Sequence, residues 1–247
     1  MKKTDTSSKR ICLWSGPRNI STALMYSFAQ RPDTRVYDEP LYGYYLKTTN
    51  AKEYHPGAAE VIADMECDGQ KVVEMMMAAH EKPVVFFKNM GHHLGDLDRS
   101  FMLNAINLIL TRHPAQVITS FAKEIPNPSL LDVGFRAQAE LLDELSQMGA
   151  ETLVADSNAI IQNPETYLTK LCQRIGIPFY KEMLHWNAGS RPEDGIWAKH
   201  WYKNVHASTG FGAYVEKPLT VESRLEPLLN ECMPYYNKLI HASVFMN

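Results

Sequence analysis

Residues 11–22 read Ile-Cys-Leu-Trp-Ser-Gly-Pro-Arg-Asn-Ile-Ser-Thr, and they are the most informative part of the sequence about the architecture of the chain. Its first four residues form a short apolar run that ends before Gly16 and Pro17, which is typical of a buried parallel strand. From residue 20 to residue 30 the apolar side chains recur every fourth position, as they do on the buried face of a helix. A strand, a glycine-containing turn and a helix in this order open a phosphate-binding βα unit.

The same order of elements repeats along the chain. Further short apolar runs predict strands, and helical patterns lie between them. The predicted strands are 34–38, 84–87, 106–110 and 152–154, and the predicted helices are 70–80, 114–123, 133–148 and 164–175. Strands that alternate with helices indicate an α/β protein, a three-layer α/β/α sandwich around a central parallel sheet.

The composition fits one cytoplasmic domain. The chain has 247 residues and a formal net charge of −3, so it is long enough for a large core and has no basic field for nucleic acid. We expect a single domain at 10–247, a disordered tail at 1–9, and a lid or donor-binding loop in the aperiodic stretch 187–212. No apolar run is long enough to span a membrane. Four widely spaced cysteines fit no metal or redox motif, which favours reduced thiols in the cytoplasm: Cys12, Cys67, Cys172 and Cys232.

The turn at residues 15–22 has the properties of an anion site. Backbone N–H groups at the start of a helix lack partners, the hydroxyls of Ser21 and Thr22 add donors, and Arg18 adds a planar positive charge. The Gly-Lys pair of a Walker A motif is absent, which counts against ATP or GTP hydrolysis. The alternative is a polar strand-to-helix turn that binds no ligand.

Residues 17–22 resemble the 5′-phosphosulfate loop of the sulfotransferases, which typically runs P-[KR]-S-G-[ST]-T after the first strand. Pro17, Arg18 and both hydroxyls are kept, whereas Asn19 and Ile20 replace the usual Ser-Gly pair. The resemblance implies the sulfotransferase version of the P-loop NTPase-like fold, with a nucleotide donor held by this turn. The implied donor-binding residues are Gly16, Pro17, Arg18, Asn19, Ile20, Ser21 and Thr22.

A second segment, residues 111–121, resembles the R-x-P-x-D-x-x-x-S stretch with which sulfotransferases hold the 3′-phosphate of their donor. Arg112 and Ser120 match its Arg and Ser, and Gln116 stands where Asp is often found. A 3′-phosphate site has no use with ATP, so the implied donor is 3′-phosphoadenosine 5′-phosphosulfate (PAPS) and the product is adenosine 3′,5′-bisphosphate (PAP). The alternative is that Arg112 caps a helix or pairs with an acid, and that Ser120 is a helix surface residue.

Sulfuryl transfer needs a proton acceptor and positive charge near the sulfuryl group and the leaving phosphate. Basic side chains can supply that charge, so we expect no metal requirement. Glu39 resembles the catalytic glutamate of the tyrosylprotein and trehalose sulfotransferases, and we assign it as general base, with Asp38 orienting it or pairing with a cation. Lys88 ends the third predicted strand, as in many sulfotransferases, and we assign Lys88 and Arg18 to charge stabilisation. The alternative for Asp38 and Glu39 is that both are solvated residues of a turn.

Acceptor binding is assigned to four residues near Glu39: Tyr42, Tyr45, His92 and His93. The two tyrosines also fit an ordinary helix face. The base of the cytosolic aryl sulfotransferases is a His closer to the strand-end Lys, so the choice between Glu39 and a His as base stays open. Residues 195–199 are faintly similar to the family's C-terminal donor loop, which would place Trp197 or Trp201 on adenine and Lys199 or Arg191 on a phosphate. A packed aromatic loop is the alternative.

These patterns predict an enzyme that transfers the sulfuryl group of PAPS to a hydroxyl or amine of a small acceptor. One rival is an ATP-dependent, kinase-like phosphotransferase, and the other is a non-catalytic nucleotide-binding protein of the same fold. The sequence leaves open the identity of the acceptor and whether the protein forms a homodimer.

Overall fold

A computed structural model describes residues 8–123, 125–216 and 219–243 of the chain. Its centre is a parallel sheet in the order β2-β3-β1-β4-β5. All five predicted strands are confirmed, with bounds one to three residues wider in four of them. The strands are β1 (Lys9–Ser15), β2 (Thr34–Asp38), β3 (Val84–Met90), β4 (Ile106–Thr111) and β5 (Thr152–Asp156).

Helices surround the sheet, as the alternating pattern predicts. In chain order they are α1 (Ser21–Ala29), α2 (Tyr42–Thr48), α3 (Ala58–Asp64), α4 (Gly69–Met77), α5 (Pro114–Phe121), α6 (Leu130–Val133), α7 (Phe135–Met148), α8 (Ser157–Gln162), α9 (Pro164–Ile175), α10 (Ala198–Trp201), α11 (Lys203–His206) and α12 (Glu226–His241). The single helix predicted at 133–148 is broken, because Gly134 has φ +73° and separates α6 from α7. Within the described ranges, no helix has the length and apolar character of a membrane span.

Two apolar cores lie on the two faces of the sheet. Along β1, Ile11 and Leu13 belong to one core, which includes side chains of α1 and α9. Cys12 and Trp14 belong to the other, which includes side chains of α4, α7 and α12. This alternation follows from the two-residue period of a strand, and it confirms the predicted α/β sandwich.

The carboxyl ends of the five strands lie along one edge because the strands are parallel. β1 lies between β3 and β4, so the turn that follows it at residues 15–20 has the end of β3 on one side and the end of β4 on the other. Ligands of open α/β sheets bind outside such strand ends. The fold therefore assembles segments that are distant in sequence around the predicted anion turn.

The ends of two predicted segments need correction. Ser8 is buried and its hydroxyl donates hydrogen bonds to backbone carbonyls at residues 80 and 82, and Lys9 starts β1. Residues 8 and 9 therefore belong to the domain, while 1–7 of the predicted tail lie outside the described residues. The stretch 187–212 contains α10 and α11, and Trp197 and Tyr202 within it are buried, so it packs as part of the body.

Candidate active site

The turn after β1 has a left-handed backbone at two residues without glycine. Arg18 has φ +60° and Ile20 has φ +56°. Turns in which left-handed residues alternate with right-handed ones expose consecutive backbone N–H groups and bind anions. Ile20 is also the N-cap of α1 and has no polar side chain to cap the helix, so the first N–H groups of α1 remain available to a ligand.

Ile20 stands at the position where the resembling family has glycine, and its backbone is strained. A β-branched residue at positive φ is a rare outlier, and the left-handed conformation costs about 1–2 kcal/mol for a residue with a Cβ. The Ile20 side chain packs at the edge of the core that contains α1. The turn therefore keeps a glycine-like backbone even though the sequence has lost the glycine.

Replacing Ile20 with Gly is expected to give a more stable protein than replacing it with Ala, by about 1 kcal/mol. Both variants lose the same packing, but only Gly adopts positive φ without strain. In ordinary helical or extended backbone the order is the reverse, with Ala favoured by about 0.5–1 kcal/mol. Urea unfolding of the two variants measures the difference. An Ala variant as stable as the Gly variant would show that the turn is not left-handed at residue 20.

Gly16 and Asn19 fix this turn to its neighbours. A Cβ at Gly16 would lie 3.1 Å from the carbonyl oxygen of Val133, so a larger residue there would press against the end of α6. The Asn19 amide donates to the carbonyl of Leu110 at 2.9 Å, and the Asn19 carbonyl accepts from the hydroxyl of Ser157 at 2.8 Å. Asn19 is one of the residues predicted to bind the nucleotide donor. Its side-chain amide instead hydrogen-bonds to β4 and holds the turn in place.

Arg18, Arg112 and Ser120 meet at one place. Arg18 Nε donates a hydrogen bond to Ser120 Oγ at 2.9 Å, and Arg112 Nη1 donates to the carbonyl oxygen of Arg18 at 3.1 Å. The two anion segments that the sequence analysis identified, 94 residues apart at these two arginines, therefore form one site. Both arginines are therefore placed to meet one ligand that carries two phosphate groups.

The two guanidinium groups have no carboxylate partner within salt-bridge distance among the described residues. Gln116, which stands where the resembling motif often has Asp, accepts from Arg112 Nε at 2.8 Å without neutralising it. Burial lowers the pKa of Arg112, Asp156 opposes this shift, and the like charge of Arg18 adds to it. Two adjacent cations of this kind favour an anionic ligand between them.

On the other side of β1, Lys88 and Glu39 form a buried ion pair. The Lys88 ammonium contacts Glu39 Oε1 and lies 2.9 Å from Asp38 Oδ1. Glu39 has φ +45°, and its N–H donates to the carbonyl of Lys88 at 2.7 Å. Backbone strain of this kind clusters at functional sites. Here the positive φ of Glu39, directly after β2, accompanies the contact of its side chain with Lys88.

Burial and charge set the protonation of this pair. Burial raises the pKa of Glu39, the Lys88 charge opposes the rise, and the Asp38 charge adds to it. Burial acts to lower the pKa of Lys88, but the charges of Asp38 and Glu39 prevail and raise it well above its ordinary value. Lys88 is therefore a permanent cation, and Glu39 is a carboxylate with greater proton affinity than a solvated one.

The four predicted acceptor residues form one aromatic cluster beside Glu39. The His93 ring stacks between Tyr42 and Tyr45, with centroids 5.1 Å and 4.6 Å away, and His92 contacts Tyr45 edge-on. His93 Nδ1 lies 3.8 Å from Glu39 Oε2. Tyr42 and His93 are buried and form the base of the cluster, whereas Tyr45 and His92 are partly exposed, so only these last two can meet an acceptor directly.

The histidines in this cluster are neutral. Burial lowers the pKa of His92 to about 4, with the neighbouring His55 adding to the shift. Burial also lowers the pKa of His93 well below its ordinary value, followed by the effects of His92, His55 and Lys88. No set of three or more metal-ligating side chains is placed to hold a metal ion in the part of the chain that the structure describes. The cluster is thus an uncharged aromatic surface beside the charged pair Glu39 and Lys88.

Trp197 and Lys199 do not occupy the predicted donor positions. Trp197 is buried against Tyr42, its indole N–H donates to the Tyr202 hydroxyl at 3.3 Å, and a Cβ at Gly195 would lie 2.1 Å from its ring. No face of this ring is free to stack on adenine. Lys199 is exposed and pairs with Glu60 of α3. The half-exposed Tyr214 is the aromatic residue near enough to Arg112 to affect its pKa.

Tyr202 is the site residue that the sequence analysis did not identify. Its hydroxyl contacts both Lys88, 114 positions away, and Asp38, 164 positions away. It lies in the aperiodic stretch 187–212, where no hydrophobic period is present and the faint donor-loop similarity at residues 195–199 does not reach Tyr202. The sequence feature that could have indicated such a residue is the acidic pair Asp38 and Glu39, because a buried carboxylate requires hydrogen-bond partners.

Comparison with known proteins agrees with this architecture. A family model described as a sulfotransferase domain matches residues 9–243. Two proteins of Arabidopsis thaliana, named branched-chain-amino-acid aminotransferase-like proteins 1 and 2, are 42% and 40% identical over 228 residues. The match covers 92% of this chain and 40% of each relative, so the chain spans about two fifths of their length.

Solved structures share the fold at low identity. The sulfotransferase domain of the Synechococcus PCC 7002 olefin synthase has a TM-score of 0.53 at 16% identity, covering 94% of this chain and 97% of that one. A sulfotransferase from Alicyclobacillus acidocaldarius has a TM-score of 0.56 at 12% identity, covering 96% and 98%. The chain belongs to the sulfotransferase domain family, which confirms the resemblance seen in residues 17–22 and 111–121.

Proposed function

We propose that the protein transfers the sulfuryl group of PAPS to a hydroxyl or amine of a small acceptor. The observation that carries the proposal is the meeting of Arg18, Arg112 and Ser120 at one edge of the sheet, with Glu39 directly after β2 and Lys88 inside β3, near its carboxyl end rather than at the predicted last position. In this proposal two phosphates bind to the cationic residues on one side of β1, and Glu39, paired with Lys88 on the other side, accepts the proton.

The residues present fit the donor. The turn at 16–20 and the first turn of α1 would hold its 5′-phosphosulfate, because both expose unpaired N–H groups. Arg112 and Ser120 would hold its 3′-phosphate. The Thr111 hydroxyl, buried at the end of β4 without a hydrogen-bond partner, supports a polar ligand here, since buried polar groups are normally satisfied. Bound PAPS supplies an activated sulfuryl group.

The side chains around Glu39 would perform the acid–base work. Glu39 takes the proton of the acceptor, and its raised pKa makes it a stronger base than a solvated carboxylate. Lys88, kept protonated by its carboxylates, and Arg18 offset negative charge on the sulfuryl oxygens and the leaving phosphate. No metal takes part in this proposal. Tyr45 and His92 contact the acceptor, and the buried pair Tyr42 and His93 supports them.

Fewer observations support the two rival functions than support sulfuryl transfer. A kinase-like phosphotransferase would need the Gly-Lys pair that the turn at 16–22 lacks. A non-catalytic nucleotide-binding protein gives no reason for a strained glutamate beside a buried lysine. The aminotransferase-like names of the two relatives belong to proteins of more than twice this length, and we propose that the aminotransferase-like part is the region that this chain does not match.

Location and assembly are also proposals. We place the protein in the cytoplasm because all four cysteines are free, three of them buried, as expected in a reducing compartment. Its partner is a small acceptor rather than nucleic acid. A homodimer remains a prediction for solution measurement.

Calorimetry is expected to show PAP binding at least about 10-fold more tightly than AMP, because a charge-assisted hydrogen bond contributes about 1.5–3 kcal/mol. Arg112→Ala should weaken PAP binding by about 10- to 100-fold and leave AMP binding nearly unchanged. Arg136→Ala, which removes an exposed arginine paired with Glu140, is the control and should change neither. Equal affinities of the wild-type protein for PAP and AMP would contradict the 3′-phosphate site.

A further inference from the structure

The Tyr202 hydroxyl is buried and uses its full hydrogen-bonding capacity. A hydroxyl has one donor and two acceptor lone pairs. Tyr202 Oη donates to the Asp38 carboxylate, with oxygens at 2.8 and 2.9 Å, and it accepts from Lys88 Nζ at 2.6 Å and from Trp197 Nε1 at 3.3 Å. A residue satisfied in this way has one defined position, and it fixes the groups that it contacts.

The Lys88 ammonium is satisfied in the same way. Its three N–H donors have three partners: the Glu39 carboxylate, the Asp38 carboxylate and the Tyr202 hydroxyl. Asp38 in turn accepts from Tyr202 and from the N–H of Gly195 at 3.2 Å. Only one of the three partners of Lys88, Glu39, changes its charge in the proposed reaction, so the other two determine where the ammonium stays.

We propose that Tyr202, acting with Asp38, is a positioning residue that holds the Lys88 ammonium in place while Glu39 receives the proton of the acceptor. This inference rests on the proposed function. In the transfer, the acceptor O–H or N–H bond breaks and its proton goes to Glu39. The acceptor atom bonds to sulfur, and the bond from sulfur to the bridging phosphate oxygen breaks, leaving its electron pair on PAP. Protonated Glu39 no longer attracts Lys88 by its charge, but the Asp38 charge and the Tyr202 hydroxyl still hold the ammonium.

The stretch 187–212 is thereby part of the catalytic assembly rather than a separate cover. Two tyrosine–carboxylate anchors help to hold it. Tyr202 and Gly195 attach to Asp38 at the end of β2, and Asp194 accepts from the Tyr26 hydroxyl of α1 at 2.7 and 2.8 Å. The two tyrosine–carboxylate anchors are alike in chemistry, but only the first contacts Lys88. The chain therefore contains its own matched control.

Tyr202→Phe is expected to lower kcat by about 10- to 100-fold, because small displacements of a charge-stabilising group have effects of this size. KM for the acceptor and affinity for PAP should stay within about 2-fold. The acidic limb of the rate profile should also move to higher pH, because the Lys88 charge acts to lower the pKa of Glu39 and does so less when the ammonium is no longer fixed. The charged and titratable groups facing Glu39 are Lys88, Asp38, Tyr202, His93 and Tyr42.

Tyr26→Phe removes the other anchor and should leave kcat within about 3-fold and the acidic limb in place. A second measurement is independent of turnover: ¹⁵N NMR of lysine ammonium groups in the full chain should show faster hydrogen exchange at Lys88 in Tyr202→Phe but not in Tyr26→Phe. Equal effects of the two variants on kcat and on Lys88 exchange would overturn the positioning role. If the wild-type protein transferred no sulfuryl group, the proposed function would fail, while the exchange rates would still decide whether Tyr202 fixes Lys88.

Discussion

Glu39→Gln is expected to lower kcat by about 10²- to 10⁴-fold, the usual contribution of a general base, while PAP affinity stays within about 2-fold. Glutamine has the size of glutamate and keeps an oxygen for the Lys88 ammonium, but it cannot accept the proton of the acceptor. In the proposed function PAP binds on the other side of β1, through Arg18 and Arg112, so donor affinity should not change. Steady-state kinetics with a responsive acceptor and calorimetry with PAP measure the two quantities.

The same variant should not lose stability. Because the pKa of Glu39 is raised in the folded protein, folded Glu39 holds its proton at pH values where the unfolded chain has released it. Folding stability is then highest below the unfolded pKa and falls as the pH rises through the folded pKa. Gln removes this loss. The free energy of unfolding of Glu39→Gln at pH 8 should therefore equal or exceed that of the wild type.

The control for this variant is Glu140→Gln, which changes an exposed glutamate on α7 paired with Arg136. Its kcat should match the wild type. Full turnover in Glu39→Gln would contradict the assignment of Glu39 as base and would move that role to His92 or His93. That result would be surprising on physical grounds, because both imidazoles are already neutral but have pKa values below those of solvated histidines and are therefore weak bases.

The sequence was informative wherever structure follows from local pattern. Buried parallel strands are short apolar runs ended by Gly, Pro or a polar residue, so all five could be located. Parallel strands place their carboxyl ends at one edge of the sheet. Because Arg18, Glu39, Lys88 and Arg112 lie at or just after predicted strand ends, the sequence predicts that they share this edge. The motifs then identified which of the strand-end residues carry chemistry.

Contacts made by an aperiodic segment could not be predicted. Residues 187–212 have no hydrophobic period, so nothing in the sequence gave the register of Trp197 or Tyr202 against the sheet. A short similarity to a donor loop suggested that Trp197 binds adenine, whereas burial of an apolar ring against Tyr42 prevailed. Backbone strain was equally hidden, because positive φ at Ile20 and Glu39 contradicts their intrinsic preferences and is imposed by tertiary contacts.

Lys88→Met is expected to lower the free energy of unfolding by about 3–5 kcal/mol, because removal of one partner from a buried ion pair leaves an uncompensated charge. Here it leaves two, the carboxylates of Asp38 and Glu39, and the Lys88 side chain that it replaces is only 2% exposed. Turnover should also be lost at temperatures at which the variant is still folded. Urea unfolding at pH 8 gives the free energy. Lys71→Met, which removes an exposed lysine paired with Glu66 at 3.8 Å, should change it by less than about 1 kcal/mol.

The double variant Lys88→Met with Glu39→Gln separates charge from packing. If the loss in Lys88→Met arises from unpaired carboxylates, removal of one of them should restore about 0.5–3 kcal/mol, the range of coupling between residues in one network. A loss caused by misfitted methionine packing would instead stay the same or grow. Lys88→Met should also be less destabilised at pH 5 than at pH 8, because buried Glu39, whose pKa is raised, can then take up a proton. A stable Lys88→Met protein would mean that Asp38 and Glu39 are not charged in the folded state, and the proton balance on which the proposed transfer depends would be absent.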